Sequence, residues 1–107
     1  MNENDGRAIK DFHDRIVRLL GDHLVRTALF GSKAEGYDTP ESDIDILVLI
    51  HDAASPKRDQ ILDEAFEVNV QYGVYISPRI ITMSIYNHPV WRMTPFLRGL
   101  REKAVVL

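Results

Sequence analysis

Cysteine is absent from the 107 residues, which excludes disulfide bonds and thiolate metal sites and is compatible with a reducing compartment. Long apolar runs are also absent: the longest, Ile44–Ile50, contains Asp45 and is far too short to span a bilayer. The first twelve residues, MNENDGRAIKDF, are polar and do not resemble a signal peptide. We therefore expect a cytoplasmic protein that has no membrane partner.

Acidic residues are missing from one continuous part of the chain, residues 68–101. Residues 1–67 carry fifteen acids and eight Lys or Arg, a net charge of −7, whereas residues 68–107 carry one acid and five basic residues, a net charge of +4. The basic part could bind nucleic acid, an acidic partner or a nucleotide triphosphate, or it could be an ordinary solvated surface. Five scattered basic residues are a weak argument for nucleic acid, which we do not expect as a partner.

The remaining composition is that of an ordinary globular protein, with 45% hydrophobic and 27% charged residues. A chain of 107 residues can bury one core without covalent cross-links. We see no internal repeat and no linker, and therefore expect a single domain over residues 1–107. The sequence leaves the oligomeric state open.

The most informative stretch is ALFGSKAEGYDTPESDIDILVLI, residues 28–50. It contains an apolar strand, a turn of small residues, a polar loop, and a second apolar strand that begins at the pair Asp43 and Asp45. Alternate residues of a strand point to the same face, so both carboxylates should leave the sheet together. Two neighbouring anions repel unless a cation lies between them, and oxygen ligands of this kind suit Mg²⁺ together with substrate phosphates.

The turn before the loop has the composition of a phosphate-binding turn. Gly31 permits close approach of the backbone, and Ser32 adds a hydroxyl group to the free N–H groups. Lys33 could reach a phosphate as a point charge, or it could be a solvent-exposed lysine on a short helix. The sequence thus predicts a metal site and a phosphate site at one end of one sheet. The alternative is a hairpin whose loop merely happens to be acidic.

Gly31-Ser32, ten intervening residues and Asp43-Ile44-Asp45 resemble the signature of the minimal nucleotidyltransferases, in the DNA polymerase β-like superfamily. The resemblance covers about a quarter of the chain. It implies an α/β fold, with a small mixed sheet covered by helices, and transfer of a nucleoside monophosphate from ATP with Mg²⁺. On this reading Asp43 and Asp45 are the catalytic and metal-binding residues, and Gly31, Ser32 and Lys33 bind the nucleotide.

Periodicity predicts the elements of this sheet. Strands are expected near residues 25–30, 44–50, 72–81 and 104–107, and helices near 6–20 and 56–69. Ser55 and Pro56 have the pattern of a helix start, and the second helix is expected to bury Ile61, Leu62, Ala65 and Phe66. Pro78 argues for an edge position or a bulge in the third strand. Phe96, Leu97 and Leu100 could form a short helix that packs on the core, and Trp91 and Phe96 are expected in the core rather than at an interface.

The chain departs from the family pattern in two places. Superfamily enzymes usually place a third carboxylate on the third strand, which has no acid here, and Glu67 on the preceding helix is a poor substitute. The phosphate turn often carries a second basic residue where Glu35 stands. The first departure concerns the chemical step more than the binding of metal or nucleotide.

Two functions remain open at this point. The first is a nucleotidyltransferase that modifies a hydroxyl group, and the resemblance implies a small helical HEPN-type toxin as the partner protein, with the chain as its antitoxin. The second is a binding module that neutralises its partner by docking, with a residual two-aspartate site. In that case Trp91, Arg92, Phe96 and Arg98, if exposed, have the composition of a protein interface.

Overall fold

The computed structural model describes residues 1–39, 42–52 and 57–107. The strands in this part are β1, Leu24–Phe30; β2, Ile44–Ile50; β3, Ile76–Thr82; and β4, Val105–Val106. The helices are α1, Glu3–Leu20; α2, Ser32–Glu35; α3, Arg58–Tyr72; α4, Met83–Tyr86; and α5, Pro95–Lys103. Two short 3₁₀ turns cover Gly21–His23 and Trp91–Met93. No helix in the described ranges is both long enough and apolar enough to cross a bilayer.

The four strands form one mixed sheet in the order β3-β2-β1-β4, as the α/β prediction requires. β1 runs antiparallel to β2 and β4, and β2 runs parallel to β3. β2 is central, and every residue of β2 except Asp45 is buried. Its bounds agree with the predicted strand, because an apolar run broken only by Asp45 suits a strand that is covered on both faces.

Alternation along β2 divides the core between the two faces of the sheet. Ile44, Ile46 and Val48 belong to the cluster that α1 and α3 cover. Leu47 and Leu49 belong to a second cluster with Leu97 and Leu100 of α5. We call the first face the α1–α3 face and the second the Asp45 face, because Asp45 alternates with Leu47 and Leu49.

α1 begins three residues earlier than predicted. The side chain of Asn2 accepts a hydrogen bond from the backbone N–H of Asp5 at 2.8 Å, so Asn2 caps the helix. The apolar residues Ile9, Phe12 and Ile16 are buried, as their helical spacing predicts.

α3 differs from its prediction in which residues it buries. Ile61 and Ala65 are buried as expected, but Leu62 and Phe66 are 39% and 68% exposed, and Val68 is buried instead. The helix carries two apolar stripes that are offset by one residue. The stripe of Ile61, Ala65 and Val68 packs on the sheet, and the stripe of Leu62 and Phe66 is exposed. The predicted helix start at Ser55 and Pro56 lies outside the described residues.

The predicted start of the third strand is wrong. Tyr72 is the last residue of α3 rather than a strand residue, and β3 begins at Ile76. Gly73 ends the helix with φ +66°, a conformation that glycine adopts without strain. Pro78 does lie on an edge strand, because β3 is the outermost strand of the sheet.

The C-terminal part forms the predicted short helix α5, in which Leu97 and Leu100 are buried. The expectation that Trp91 and Phe96 lie in the core is wrong, because they are 55% and 37% exposed. The chain then ends in β4, which pairs with β1 within the predicted range 104–107.

Candidate active site

The two predicted carboxylates lie together at the N-terminal end of β2. Asp43 is exposed and immediately precedes the strand, while Asp45 is its second residue and is partly buried. Burial and the negative charge of Asp43 raise the pKa of Asp45, and the positive charge of Arg79 partly opposes that shift. Electrostatic repulsion between the two aspartates is therefore present in the folded chain.

Gly31 brings the end of β1 against Asp45. The register pairs Phe30 with Asp45, so the turn that follows Phe30 and the two aspartates share one edge of the sheet. Gly31 has φ +75° and ψ −157°, and a Cβ atom at this position would lie 2.5 Å from Oδ2 of Asp45. Only glycine fits this close contact between backbone and carboxylate. Ser32 follows as the first residue of α2, at the same edge.

The side chain of Lys33 is buried in an ion-pair cluster. Its side chain is 1% exposed, and its Nζ donates to Asp5 Oδ2 at 3.0 Å and Asp38 Oδ2 at 3.1 Å. Burial alone would lower the pKa of Lys33, but the hydrogen bonds to the two carboxylates outweigh it and raise the pKa. Of the alternative reading, a solvent-exposed lysine on a short helix, the helix is present but the side chain is not exposed. A phosphate contact by Lys33 stays a prediction, and it would require Nζ to leave these partners.

The ion pairs of Lys33 connect the Gly31–Gly36 turn to α1 and to the following loop. The lysine also donates to the carbonyl oxygen of Thr39 at 3.2 Å, and the N-terminal amine lies 3.2 Å from Asp38. Sequence reasoning missed this buried cluster, because Asp5 lies 28 residues away from Lys33 and no local pattern pairs them. In the folded chain the lysine anchors the turn.

β3 places Ser77 and Arg79 on the Asp45 face. The parallel register pairs Asp45 with Ser77 and Leu47 with Arg79. β3 carries no acid, as the sequence already indicated. Glu67 is not a substitute, because its carboxylate pairs with Arg15 at 2.6 Å, between the helices of the α1–α3 face. Alternation along residues 77 and 79 was the sequence signal that could have identified Arg79.

The residues fit a two-carboxylate metal site rather than a closed protein cage. Within the described ranges, no group of three or more His, Cys, Asp or Glu side chains is arranged to hold a metal ion. Asp43 and Asp45 nevertheless supply paired hard oxygen donors whose mutual repulsion a divalent cation would relieve. Mg²⁺ is typically bound in this way, by one or two carboxylates with substrate phosphates and water completing its shell.

An aromatic pair adjoins this edge of the sheet. The rings of Phe30 and Phe96 meet edge to face at 5.8 Å, and the guanidinium of Arg79 lies 5.0 Å from the centre of the Phe96 ring. The two phenylalanines, with Gly31 and Pro95, line an open pocket of about 240 Å³. The edge thus combines paired carboxylates, a glycine turn, an exposed guanidinium and an apolar pocket.

Comparison with known proteins found a matching family model and related chains. The family model described as "Nucleotidyltransferase domain" matches residues 9–96. Two proteins of Methanocaldococcus jannaschii, each named "Putative protein adenylyltransferase", are similar in sequence. One is 38% identical over 78 residues, which is 72% of this chain and 79% of the relative. The other is 30% identical over 105 residues, which is 97% of this chain and 98% of the relative.

Two crystal structures share the fold. One is spectinomycin adenyltransferase AAD(9) from Enterococcus faecialis with ATP and spectinomycin; its TM-score is 0.59 at 21% identity, over 94% of this chain and 48% of that chain. The other is described as "the toxin-antitoxin with AMP-PNP"; its TM-score is 0.55 at 17% identity, over 98% of this chain and 72% of that chain. At these identities the likeness is one of fold.

Proposed function

This chain belongs to the nucleotidyltransferase domain family, and from that premise we propose that it transfers AMP from ATP to a hydroxyl group of a partner protein. The observation that carries the proposal is the contact between Gly31 and Asp45, which puts a glycine turn and a carboxylate pair at one edge of the sheet. The names of the two archaeal relatives support a protein acceptor. The crystal structure of the toxin-antitoxin with AMP-PNP, which shares the fold, and the sequence resemblance together support a HEPN-type toxin as that acceptor and this chain as its antitoxin.

The chain's own residues have separate roles in this reaction. Asp43 and Asp45 are the residues that would hold Mg²⁺. When bound, the cation would offset the charge of the phosphates and polarise the phosphoryl group under attack. Gly31 and Ser32 would bind the β- and γ-phosphates of the nucleotide through backbone N–H groups and the Ser32 hydroxyl. Phosphoryl chemistry of this kind depends mostly on positioning and charge neutralisation, which a small domain can provide.

The transfer itself exchanges one oxygen on the α-phosphorus for another. The acceptor oxygen forms a bond to the α-phosphorus, and the bond from that phosphorus to the bridging oxygen breaks. Pyrophosphate leaves, and the proton of the acceptor hydroxyl is released to solvent. The acceptor comes from a second molecule, to which the exposed Asp43 is accessible.

The experiment is intact mass spectrometry of a HEPN-type protein after incubation with the chain, ATP and Mg²⁺. The acceptor should gain the mass of an adenylyl group, and Asp45→Asn should abolish the gain. Asp63→Asn is the matched control, because Asp63 is an exposed acid on α3, away from the carboxylate pair. Modification that persists with Asp45→Asn would contradict the assignment.

A second candidate, docking without chemistry, is favoured by one specific observation. Val90, Trp91 and Met93 are 67%, 55% and 64% exposed, and they lie within residues 68–101, which contain no acid. Such apolar residues next to arginines are typical of protein interfaces. If docking alone neutralises the partner, Asp45→Asn should leave neutralisation intact and Trp91→Ala should weaken it. If transfer neutralises the partner, Asp45→Asn should abolish neutralisation.

A further inference from the structure

Arg79 lies on the Asp45 face, at a position that sequence reasoning did not assign to the site. The β2–β3 register pairs it with Leu47, one alternate position beyond the Asp45–Ser77 pair. Its side chain is exposed. The guanidinium and the Asp45 carboxylate therefore share one face of the sheet.

The guanidinium is held in place without being neutralised. It lies 5.0 Å from the centre of the Phe96 ring, and Phe96 in turn packs edge to face on Phe30, the register partner of Asp45. Cation–π contacts of this kind orient an arginine and leave its N–H groups free. Among the ion pairs of the described residues, all at 4.0 Å or less, none involves Arg79.

Two other cations near this edge already have anionic partners. Lys33 is buried between Asp5 and Asp38, and Lys103 pairs with Glu35 at 3.3 Å. A nucleoside triphosphate carries more negative charge than one divalent cation offsets. β3 has no carboxylate that could help to bind a second cation. An oriented arginine without an ion pair is suited to bind phosphate oxygens in bidentate fashion.

We propose that Arg79 contacts the phosphate chain of a bound nucleoside triphosphate, in addition to the cation that Asp43 and Asp45 would hold. This inference rests on the proposed function and adds a residue to its site. Arg79 thus supplies positive charge on the strand that carries no acid. Phe96 acts as a positioning residue, because its ring holds the guanidinium over the Asp45 face.

The test measures binding of ATP with Mg²⁺ by isothermal titration calorimetry. Arg79→Met keeps an unbranched chain against the Phe96 ring but removes the charge, and it should weaken binding about tenfold or more, as expected for a lost charged hydrogen bond. Arg79→Lys keeps a point charge and should retain an affinity between those of wild type and Arg79→Met. Melting temperatures without nucleotide check that each variant folds.

Arg26→Met is the matched control. Arg26 is an exposed arginine on the same sheet face, paired with Leu49 toward the far end of β1, and it should bind ATP as wild type does. The inference is overturned if Arg79→Met binds like Arg26→Met, or if Arg79→Lys loses as much as Arg79→Met. In either case wild-type transfer would still support the proposed function. Failure of the wild type to bind ATP would overturn both.

Discussion

Replacing Gly31 with alanine should disrupt the structure of the candidate site more than any other change of one methyl group. The new Cβ would lie 2.5 Å from Oδ2 and 3.4 Å from Cγ of Asp45, so the carboxylate must move. The backbone at φ +75°, ψ −157° is itself costly for alanine, about 1–3 kcal/mol. Forcing Asp45 away from its preferred rotamer adds about 0.5–1.5 kcal/mol.

We therefore expect Gly31→Ala to lower the free energy of unfolding by about 3 kcal/mol, a fall in melting temperature of roughly 10–20 °C. Nucleotide transfer should be lost even below the new melting temperature, because Asp45 no longer occupies its place. Gly99→Ala is the control: a Cβ there meets nothing within 4 Å, and in the middle of α5 it should stabilise by about 0.5–1 kcal/mol.

A double-mutant cycle separates the two parts of this cost. In the Asp45→Ala background, Gly31→Ala should lower the free energy of unfolding only by the cost of the backbone strain. The two changes should therefore couple by about 1 kcal/mol. Urea denaturation of the four proteins gives the coupling. An equal cost of Gly31→Ala in both backgrounds would refute the proposed contact with Asp45.

Three further predictions concern the charges. Lys33→Met should cost about 3–5 kcal/mol in urea unfolding because it leaves two carboxylates without their buried cation, whereas Lys103→Met, whose side chain is 62% exposed, should cost less than about 1 kcal/mol. Lys33 and the N-terminal amine lower the pKa of Asp38, so the ionised Asp38 stabilises the fold. This stabilisation is complete above about pH 4 and is lost as the pH falls through the lower folded-state pKa. The difference in melting temperature between wild type and Asp38→Asn should shrink over that range. Without nucleotide at pH 7, Asp45→Asn should stabilise the chain by less than about 1 kcal/mol, since the raised pKa of Asp45 means that its ionised form is disfavoured. This gain in stability should disappear as the pH falls and Asp45 becomes protonated. A gain that persists at low pH would contradict the prediction.

The central hairpin could be predicted from sequence because its signals are local. The apolar run of β2 sets its bounds, and the spacing from Gly31 to Asp45 predicts a turn and a carboxylate pair at one edge. Their roles as nucleotide and metal ligands remain predictions.

The errors arose where tertiary packing decides between local alternatives. Tyr72 has β propensity but completes α3, because the helix continues to Gly73. Phe66 has the larger apolar side chain, yet Ala65 and Val68 face the sheet, because the sheet fixes the rotation of the whole helix. The burial of Lys33 depends on Asp5, and the exposure of Arg79 near Asp45 depends on strand order, which periodicity alone does not give.

The central claim is that Asp43 and Asp45 support transfer of a nucleotidyl group rather than a terminal phosphoryl group. The most direct measurement incubates the chain, Mg²⁺ and the proposed HEPN-type partner with ATP labelled at either the α- or the γ-phosphorus. We predict that the α label becomes covalently attached to the partner, that the γ label does not, and that Asp45→Asn abolishes attachment while Asp63→Asn does not. Attachment of the γ label, or of the α label with Asp45→Asn, would contradict the claim.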